Sequence, residues 1–255
     1  MAGDYHPWIV DLYDHDNPAG RDHAYYRGLA DRLGALTIID LGCGTGLLTR
    51  TLAGNGRRIV GIDPSQTMID AARRSDPELS VTWIVGDSSA IDTHDVDLVV
   101  MSGNVAQHIP DPDWERTLRD LHRVMRPGAV LAFESRNPAV RTWLDWDRSE
   151  PSRRSTAHGD LEEWSEVIDH GNGIIEAGFF NRFVETNQLI VEHETFVFRA
   201  LSVIADHLDR AGFSVDAVHG DWQRTPFVGA EAFFVVEARA AAQSRCSAAP
   251  NVADH

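Results

Sequence analysis

The chain has 255 residues, with 39 Asp and Glu against 23 Lys and Arg, for a formal net charge of −16 at neutral pH. That length suits one α/β domain with an insertion and a substantial core, while the acidic balance repels phosphate backbones and anionic membrane surfaces, and the scattered arginines form no basic patch to offset it. Cys43 and Cys246 are the only cysteines, too few for a disulfide framework and wrongly spaced for zinc, so no metal site is expected.

The predicted elements alternate along the chain. The first residues lack a basic stretch followed by an apolar run, and no segment has the length of a bilayer span, so a cytoplasmic location is expected. Helix is predicted over 22–33, strand over 36–41, helix over 46–55, strand over 58–62, helix over 66–75 and strand over 81–85. Residues 97–101 read as a fourth strand, and 114–125 as a helix with Asp113 as its cap. Arg126-Pro127-Gly128 ends that helix before a fifth strand over 129–134. Such alternation indicates βαβ crossovers and a parallel sheet. Between 150 and 198 the pattern changes to strands over 161–168, 174–183 and 189–198, separated by turn residues and suited to antiparallel pairing. A helix over 200–211 and strands over 213–219 and 231–238 complete the sheet. The Ala- and Ser-rich tail after Arg239 is expected to be disordered.

The chemistry is concentrated where the first strand ends. Residues 38 to 46 run Ile-Ile-Asp-Leu-Gly-Cys-Gly-Thr-Gly, so a strand ending near Asp40 meets Gly42, Gly44 and Gly46. Lacking Cβ atoms, these residues let the backbone take positive φ and approach a ligand closely, and the helix that follows points its free N–H groups back at the loop. Dinucleotide folds space their glycines G-x-G-x-x-G, but here the spacing is G-x-G-x-G, with Leu47 in the slot of the third dinucleotide glycine. Asp63 closes the second strand, about 20 residues after the first glycine, where a carboxylate can accept both hydroxyls of a ribose. Asp63, Pro64 and Ser65 equally suit a helix start. Gly86-Asp87-Ser88 closes the third strand, and Asp87 alone could be a turn residue.

Together, the pattern Asp40-x-Gly42-x-Gly44-x-Gly46, Asp63 and Asp87 resembles the class I S-adenosylmethionine (SAM) dependent methyltransferases over about residues 10–138. The resemblance implies a Rossmann-like, seven-stranded, mostly parallel sheet with helices on both faces and a small antiparallel insertion. It implies a methyltransferase domain over 1–239, with 139–198 as a substrate-side insertion or lid, and SAM as cofactor. It assigns Asp63 to the ribose and Asp87 with the Ser88 N–H to the adenine; Cys43, Pro64, Met68 and Ser102 join the cofactor site. Ser102-Gly103-Asn104-Val105-Ala106-Gln107-His108 and Glu134-Ser135-Arg136-Asn137 are similar to cavity segments of the glycine and sarcosine N-methyltransferases. Tyr13 and Arg21 look like that branch too, whose arginine holds the methionine carboxylate of SAM.

Ligands of open α/β sheets bind beyond the carboxyl ends of the strands. Asn104, His108 and Arg136 are therefore the candidate catalytic residues. Arg136 offers a rigid fork for a carboxylate, or else pairs with Glu134 or Asp145. His108 could remove a proton from the acceptor, or else pack under its loop. Trp143, Trp146, Trp164 and Trp222 are candidates for the cavity wall. The expected partner is a small-molecule methyl acceptor, with neither nucleic acid nor membrane, for a monomer or homodimer. A SAM-binding protein without catalysis and a nicotinamide-dependent oxidoreductase are the alternatives; the glycine spacing disfavours the second.

Overall fold

The computed structural model describes residues 4–78 and 81–242. Seven helices are described: α1 (Pro7–Asp16), α2 (Arg21–Leu33), α3 (Leu47–Leu52), α4 (Gln66–Arg74), α5 (Val105–His108), α6 (Asp111–Val124) and α7 (Leu201–Arg210). The first five strands are β1 (Thr37–Leu41), β2 (Arg58–Asp63), β3 (Val81–Val85), β4 (Val96–Met101) and β5 (Met125–Arg136). An inserted group follows, β6 (Arg148–Thr156), β7 (Gly159–Asp169), β8 (Ile174–Phe183) and β9 (Gln188–Val197), and then β10 (Phe213–His219) and β11 (Phe233–Ala240). The main sheet has the order β10-β11-β5-β4-β1-β2-β3, and the insertion forms its own sheet, β6-β7-β8-β9. Pairing is parallel from β5 to β3, whereas β11 runs antiparallel to both β5 and β10.

The core follows from strand alternation. Successive side chains point to opposite faces, so Leu98 and Val100 join Ile38, Ile59 and Val130 beneath α2, α3 and α4. Val99 and Met101 instead join Ile39, Ile62 and Phe133 on the face covered by α6 and α7. Strands buried on both faces read as continuous apolar runs. On α6, Trp114, Leu118 and Leu121 recur at helical spacing and are fully buried. That helix starts earlier than expected, with extended Pro110 as its cap and Pro112 in its first turn, so Asp113 lies inside the helix. The guanidinium of buried Arg199 clamps this region, donating to the carbonyls of Ala106 at 2.9 Å and Ile109 at 2.6 Å, and to Asp111 at 2.8 Å.

Helix α1, strand β6 and the one-turn helix α5 lie outside the sequence expectations. Helix α1 is capped by the His6 ring, which accepts from the Trp8 N–H at 3.2 Å, and it packs Trp8 edge-on against Phe183 of β8, with centroids 4.8 Å apart. Strand β6 carries Pro151 and mostly charged or polar residues with no apolar alternation; it is an edge strand held by backbone pairing to β7. At the other end of the chain Ala240 still pairs with Phe213, so β11 outlasts the expected boundary at Arg239. The remainder of the expected tail, 243–255, lies outside the described residues. Among the described residues no helix is long and apolar enough to cross a membrane.

Gly61 in the middle of β2 makes room for the indole of Trp83 on β3. A Cβ there would lie 2.5 Å from the Trp83 ring, and the ring cannot swing away freely because its Nε1 donates to Asp76 at 3.1 Å. Gly61→Ala is expected to cost about 1–3 kcal/mol, the usual range for overpacking, read as a lower urea midpoint at unchanged slope. A wild-type midpoint would show that the indole shifts without strain.

Candidate functional site

The glycine loop bends across the end of β2. The N–H groups of Gly42 and Cys43 both donate to the Ile62 carbonyl, at 2.7 and 3.0 Å. Gly42, Gly44 and Gly46 all have positive φ, and a Cβ on Gly42 would meet Val105 at 2.4 Å, so both conformation and space call for glycine there. Asp63 anchors the loop. Its Oδ2 accepts from the Gly44 N–H at 2.8 Å and its Oδ1 from the Ser65 N–H at 2.9 Å. Burial raises its carboxyl pKa, although these two N–H groups oppose the rise. Each carboxylate oxygen has a second lone pair, so both can still accept from a ligand hydroxyl. Pro64 follows, Ser65 caps α4 by accepting from the Met68 N–H at 3.1 Å, and the Met68 side chain is buried. The helix-start reading and the ligand reading of this segment therefore coexist.

Asp40 is fully buried in β1. Its Oδ2 accepts from the Thr49 hydroxyl at 2.7 Å, while its Oδ1 has no partner. Burial pushes its carboxyl up to about 7; the Thr49 hydrogen bond opposes this, and the charges of Asp63 and Glu134 add to it. Burial, with Asp40 and Asp63 nearby, also raises the Cys43 thiol. Asp87 closes β3 as the cap of the turn Ser88–Ala90, accepting from the Ser89 N–H at 2.9 Å and from Arg116 at 2.7 Å. Burial alone would raise its pKa, but the Ser89 and Arg116 hydrogen bonds outweigh it and lower the carboxyl. Ser88 is buried, with its hydroxyl on Asp120 at 2.8 Å. Arg21 is exposed at the start of α2.

Ser102 leaves β4, and Gly103 and Asn104 then both take left-handed φ, turning the chain into α5. The Asn104 N–H donates to Glu134 at 2.6 Å, and the other oxygen of Glu134 accepts from Tyr26. Glu134 is buried in β5, and burial pushes its carboxyl up to about 7 against the effect of those two donors. With Glu134 occupied in this way, the guanidinium of Arg136 lies over the Trp146 ring, 5.0 Å from its centroid, and its Nε is buried without a partner. Burial lowers the Arg136 pKa.

Asn104, His108 and Arg136 line one cavity of about 460 Å³ between the main sheet and the inserted sheet. Tyr13 of α1 also lines it, and the Tyr13 ring passes 3.7 Å from where a Cβ on Gly44 would lie, so the glycine loop and the cavity share a wall. Of the four tryptophans, Trp146 lines the cavity. Trp143 packs on Phe198, Trp164 stacks on Phe180, and Trp222 packs against Tyr25 and Phe233. The sequence reading missed Tyr5, Gln107, Glu192 and Glu194, which also line the cavity. A signal was present for the glutamates: in β9 they alternate in phase with buried Ile190 and Phe196, which puts all four on the inner face.

Residues 38–128 match the model of a methyltransferase domain family. The chain is 28% identical over 111 residues to a ubiquinone biosynthesis O-methyltransferase of Coxiella burnetii, covering 42% of this chain and 46% of the relative. It is 24% identical over 147 residues to the glycine N-methyltransferase of Mus musculus, covering 51% and 50%. The fold is similar to the CcbJ methyltransferase of Streptomyces caelestis, with TM-score 0.75 and 18% identity over 92% of this chain and 96% of that one. Residues 38–128 thus match a methyltransferase domain, and the chain as a whole has the fold of solved SAM-dependent methyltransferases. It spans about half the length of the curated relatives it matches. The cofactor of this methyltransferase family is SAM, and the residues present fit it: a cationic ligand suits buried carboxylates, one of whose oxygens has no partner.

The buried carboxyls make stability sensitive to pH. Asp40 titrates at about 7 in the folded protein against 3.8 ordinarily, so the folded state keeps a proton that the unfolded chain loses. Its contribution to stability therefore falls as pH rises from about 4 to 7. Asp40→Asn, in the ligand-free protein, is expected to gain stability over wild type by on the order of 2 kcal/mol between pH 5 and pH 8. Urea unfolding at the two pH values measures this, and a gap that does not change with pH would remove Asp40 as the source.

Proposed function

We propose that this chain transfers the methyl group of SAM to a nitrogen or oxygen of a small molecule. One observation carries the reading: a left-handed glycine loop, anchored by a buried carboxylate, shares the wall of Tyr13 with a polar cavity large enough for a small ligand. Relatives named as a ubiquinone biosynthesis O-methyltransferase and a glycine N-methyltransferase support either acceptor atom. The net charge of −16 argues for a small acceptor over a nucleic acid.

Bound SAM supplies an activated methyl group on a sulfonium, so the protein needs no nucleophile of its own. Under this proposal Asp63 accepts the ribose hydroxyls. Gly42, Cys43, Gly44 and Gly46 present backbone to the cofactor, Pro64, Met68 and Ser102 border it, and Asp87 with the Ser88 N–H takes the adenine. Arg21, exposed at the start of α2, takes the methionine carboxylate, and Asp40 answers the positive charge nearby. Residues 139–198 act as the lid that excludes water. Holding the acceptor at attack distance in such a closed site supplies several kcal/mol by orientation, on the order of the effective-molarity gains of intramolecular reactions. Arg136 and Asn104 orient the acceptor, and His108 and Glu192 are groups on the cavity wall able to receive a proton.

SAM and its demethylated product are expected to bind and to raise the thermal midpoint. Asp63→Ala should weaken SAM binding by roughly ten- to a hundredfold, because it leaves ribose hydroxyls unpaired. Calorimetry that found NAD(H) bound and SAM not bound would overturn the reading. For an acceptor bearing an anionic group, Arg136→Lys should raise KM about tenfold or more through loss of the bidentate fork, with SAM affinity unchanged; an unchanged KM would take Arg136 out of acceptor binding.

A further inference from the structure

The wall of the acceptor cavity carries three buried polar atoms without partners, the donor Arg136 Nε and two acceptors on other residues. On its β9 wall, Glu194 is satisfied: the Tyr5 hydroxyl donates to Oε1 at 3.0 Å and His108 Nδ1 stands 3.5 Å from Oε2. Burial raises its carboxyl, but His108 and Tyr5 outweigh burial and hold it below its ordinary value. Glu192, two residues earlier on the same face, differs. Its Oε1 is buried and has no partner. The carbonyl oxygen of Gln107, a cavity residue only 2% exposed, is also buried without a partner. Unmet buried acceptors of this kind are costly in a protein interior, and two of them on the walls of one cavity point to an occupant rich in N–H or O–H donors.

We propose that the methyl acceptor is an amine and that Glu192 is the catalytic residue that receives its ammonium group and takes the proton. This rests on the methyl-transfer reading above and names its nucleophile. A basic amine reaches the site as an ammonium ion, which has no lone pair and cannot attack. The Glu192 carboxylate accepts a hydrogen bond from the ammonium and then the proton, leaving a neutral amine and a neutral carboxyl. The nitrogen lone pair then forms the N–C bond to the sulfonium methyl as the S–C bond breaks and its electron pair stays on sulfur, so the positive charge passes from sulfur to nitrogen. Glu192 returns its proton to solvent when the product leaves. Burial, with the charge of Glu194 adding to it, pushes the Glu192 carboxyl up to about 7, a value at which it both takes and returns a proton near neutral pH. Glu194 does not share this role, since Tyr5 and His108 already occupy its oxygens; His108 in turn is directed through Nδ1 to Glu194 and packs edge-on against Phe196, with centroids 4.8 Å apart.

The test uses labelled SAM at pH 7.5 with ethanolamine, glucosamine and aniline as acceptors, and with ethylene glycol, glucose and phenol as their hydroxyl counterparts. Methylation is expected on nitrogen in the amines and absent from the counterparts. Glu192→Gln keeps shape and volume but cannot take a proton, so it should lower kcat/KM for ethanolamine and glucosamine by about 10² or more. Aniline is already neutral at this pH, and its kcat/KM should change by less than about threefold, a split that a merely structural role for Glu192 would not produce. SAM affinity of the variant, read by calorimetry, should match wild type and shows that it is folded. Methylation of the hydroxyl compounds alone, an equal loss on aniline, wild-type rates for the variant, or no amine accepted while SAM still binds would each overturn the proposal. Failure of wild type to bind SAM would instead overturn the methyl-transfer reading beneath it.

Discussion

Three carboxylates buried towards the carboxyl ends of β1, β2 and β5 set the terms for the rest of the molecule. Asp40 on β1 lies in the fields of Asp63 on β2 and Glu134 on β5, and among the described residues none of the three has a side-chain cation within ion-pair distance. Like charges in a poorly solvated site repel strongly and raise one another's pKa. The chain meets this in part with neutral donors: backbone N–H groups from Gly44, Ser65 and Asn104, and hydroxyls from Thr49 and Tyr26. Those donors are also what shape the loops, so the same charges that repel one another define the geometry of the site. Such a field favours a cationic ligand over an anionic one.

Glu134 shows how far one such group reaches. It ties β5 to α2 through Tyr26 and to the loop after β4 through the Asn104 backbone. Because both of its oxygens are engaged in this way, Arg136, two residues on, is left to lie on Trp146 and face the cavity. The insertion completes the arrangement from the other side, where β9 brings in its glutamates and α1 closes one flank with Tyr5 and Tyr13 nearby.

The parallel half of the main sheet was legible because β1 to β4 are short, apolar and closed within two residues by glycine or aspartate, and the site grows from those ends. Asp40, the three glycines and Asp63 could be read directly, since a ligand loop imposes backbone conformations that few residues tolerate. What escaped is what tertiary contacts create. Helix α1 is short and owes its place to Trp8 and Leu12 packing on the insertion. Strand β6 pairs with β7 through its backbone and charged side chains such as Arg153 and Arg154, with no apolar alternation, and α5 is one turn set by two left-handed residues, Gly103 and Asn104. Glu192 and Glu194 share the face of Ile190 and Phe196 by alternation, but that this face meets a cavity shared with the main sheet is set by tertiary packing.

The position of the inserted sheet also shapes how the chain reaches this fold. β11 pairs with β5 from Phe233 opposite Arg136 to Arg239 opposite Val130, yet about a hundred residues, including the whole inserted sheet, separate the two strands. Closing so long a loop adds only a slowly growing entropy cost, but it delays the pairing, because non-local contacts form late. During synthesis from the N-terminus, β5 is therefore the outer strand of a five-stranded sheet, with Val130 to Phe133 on an unpaired edge of the kind that invites association with other chains. The segment that carries the β9 wall of the cavity is also the segment that must emerge before that edge is sealed.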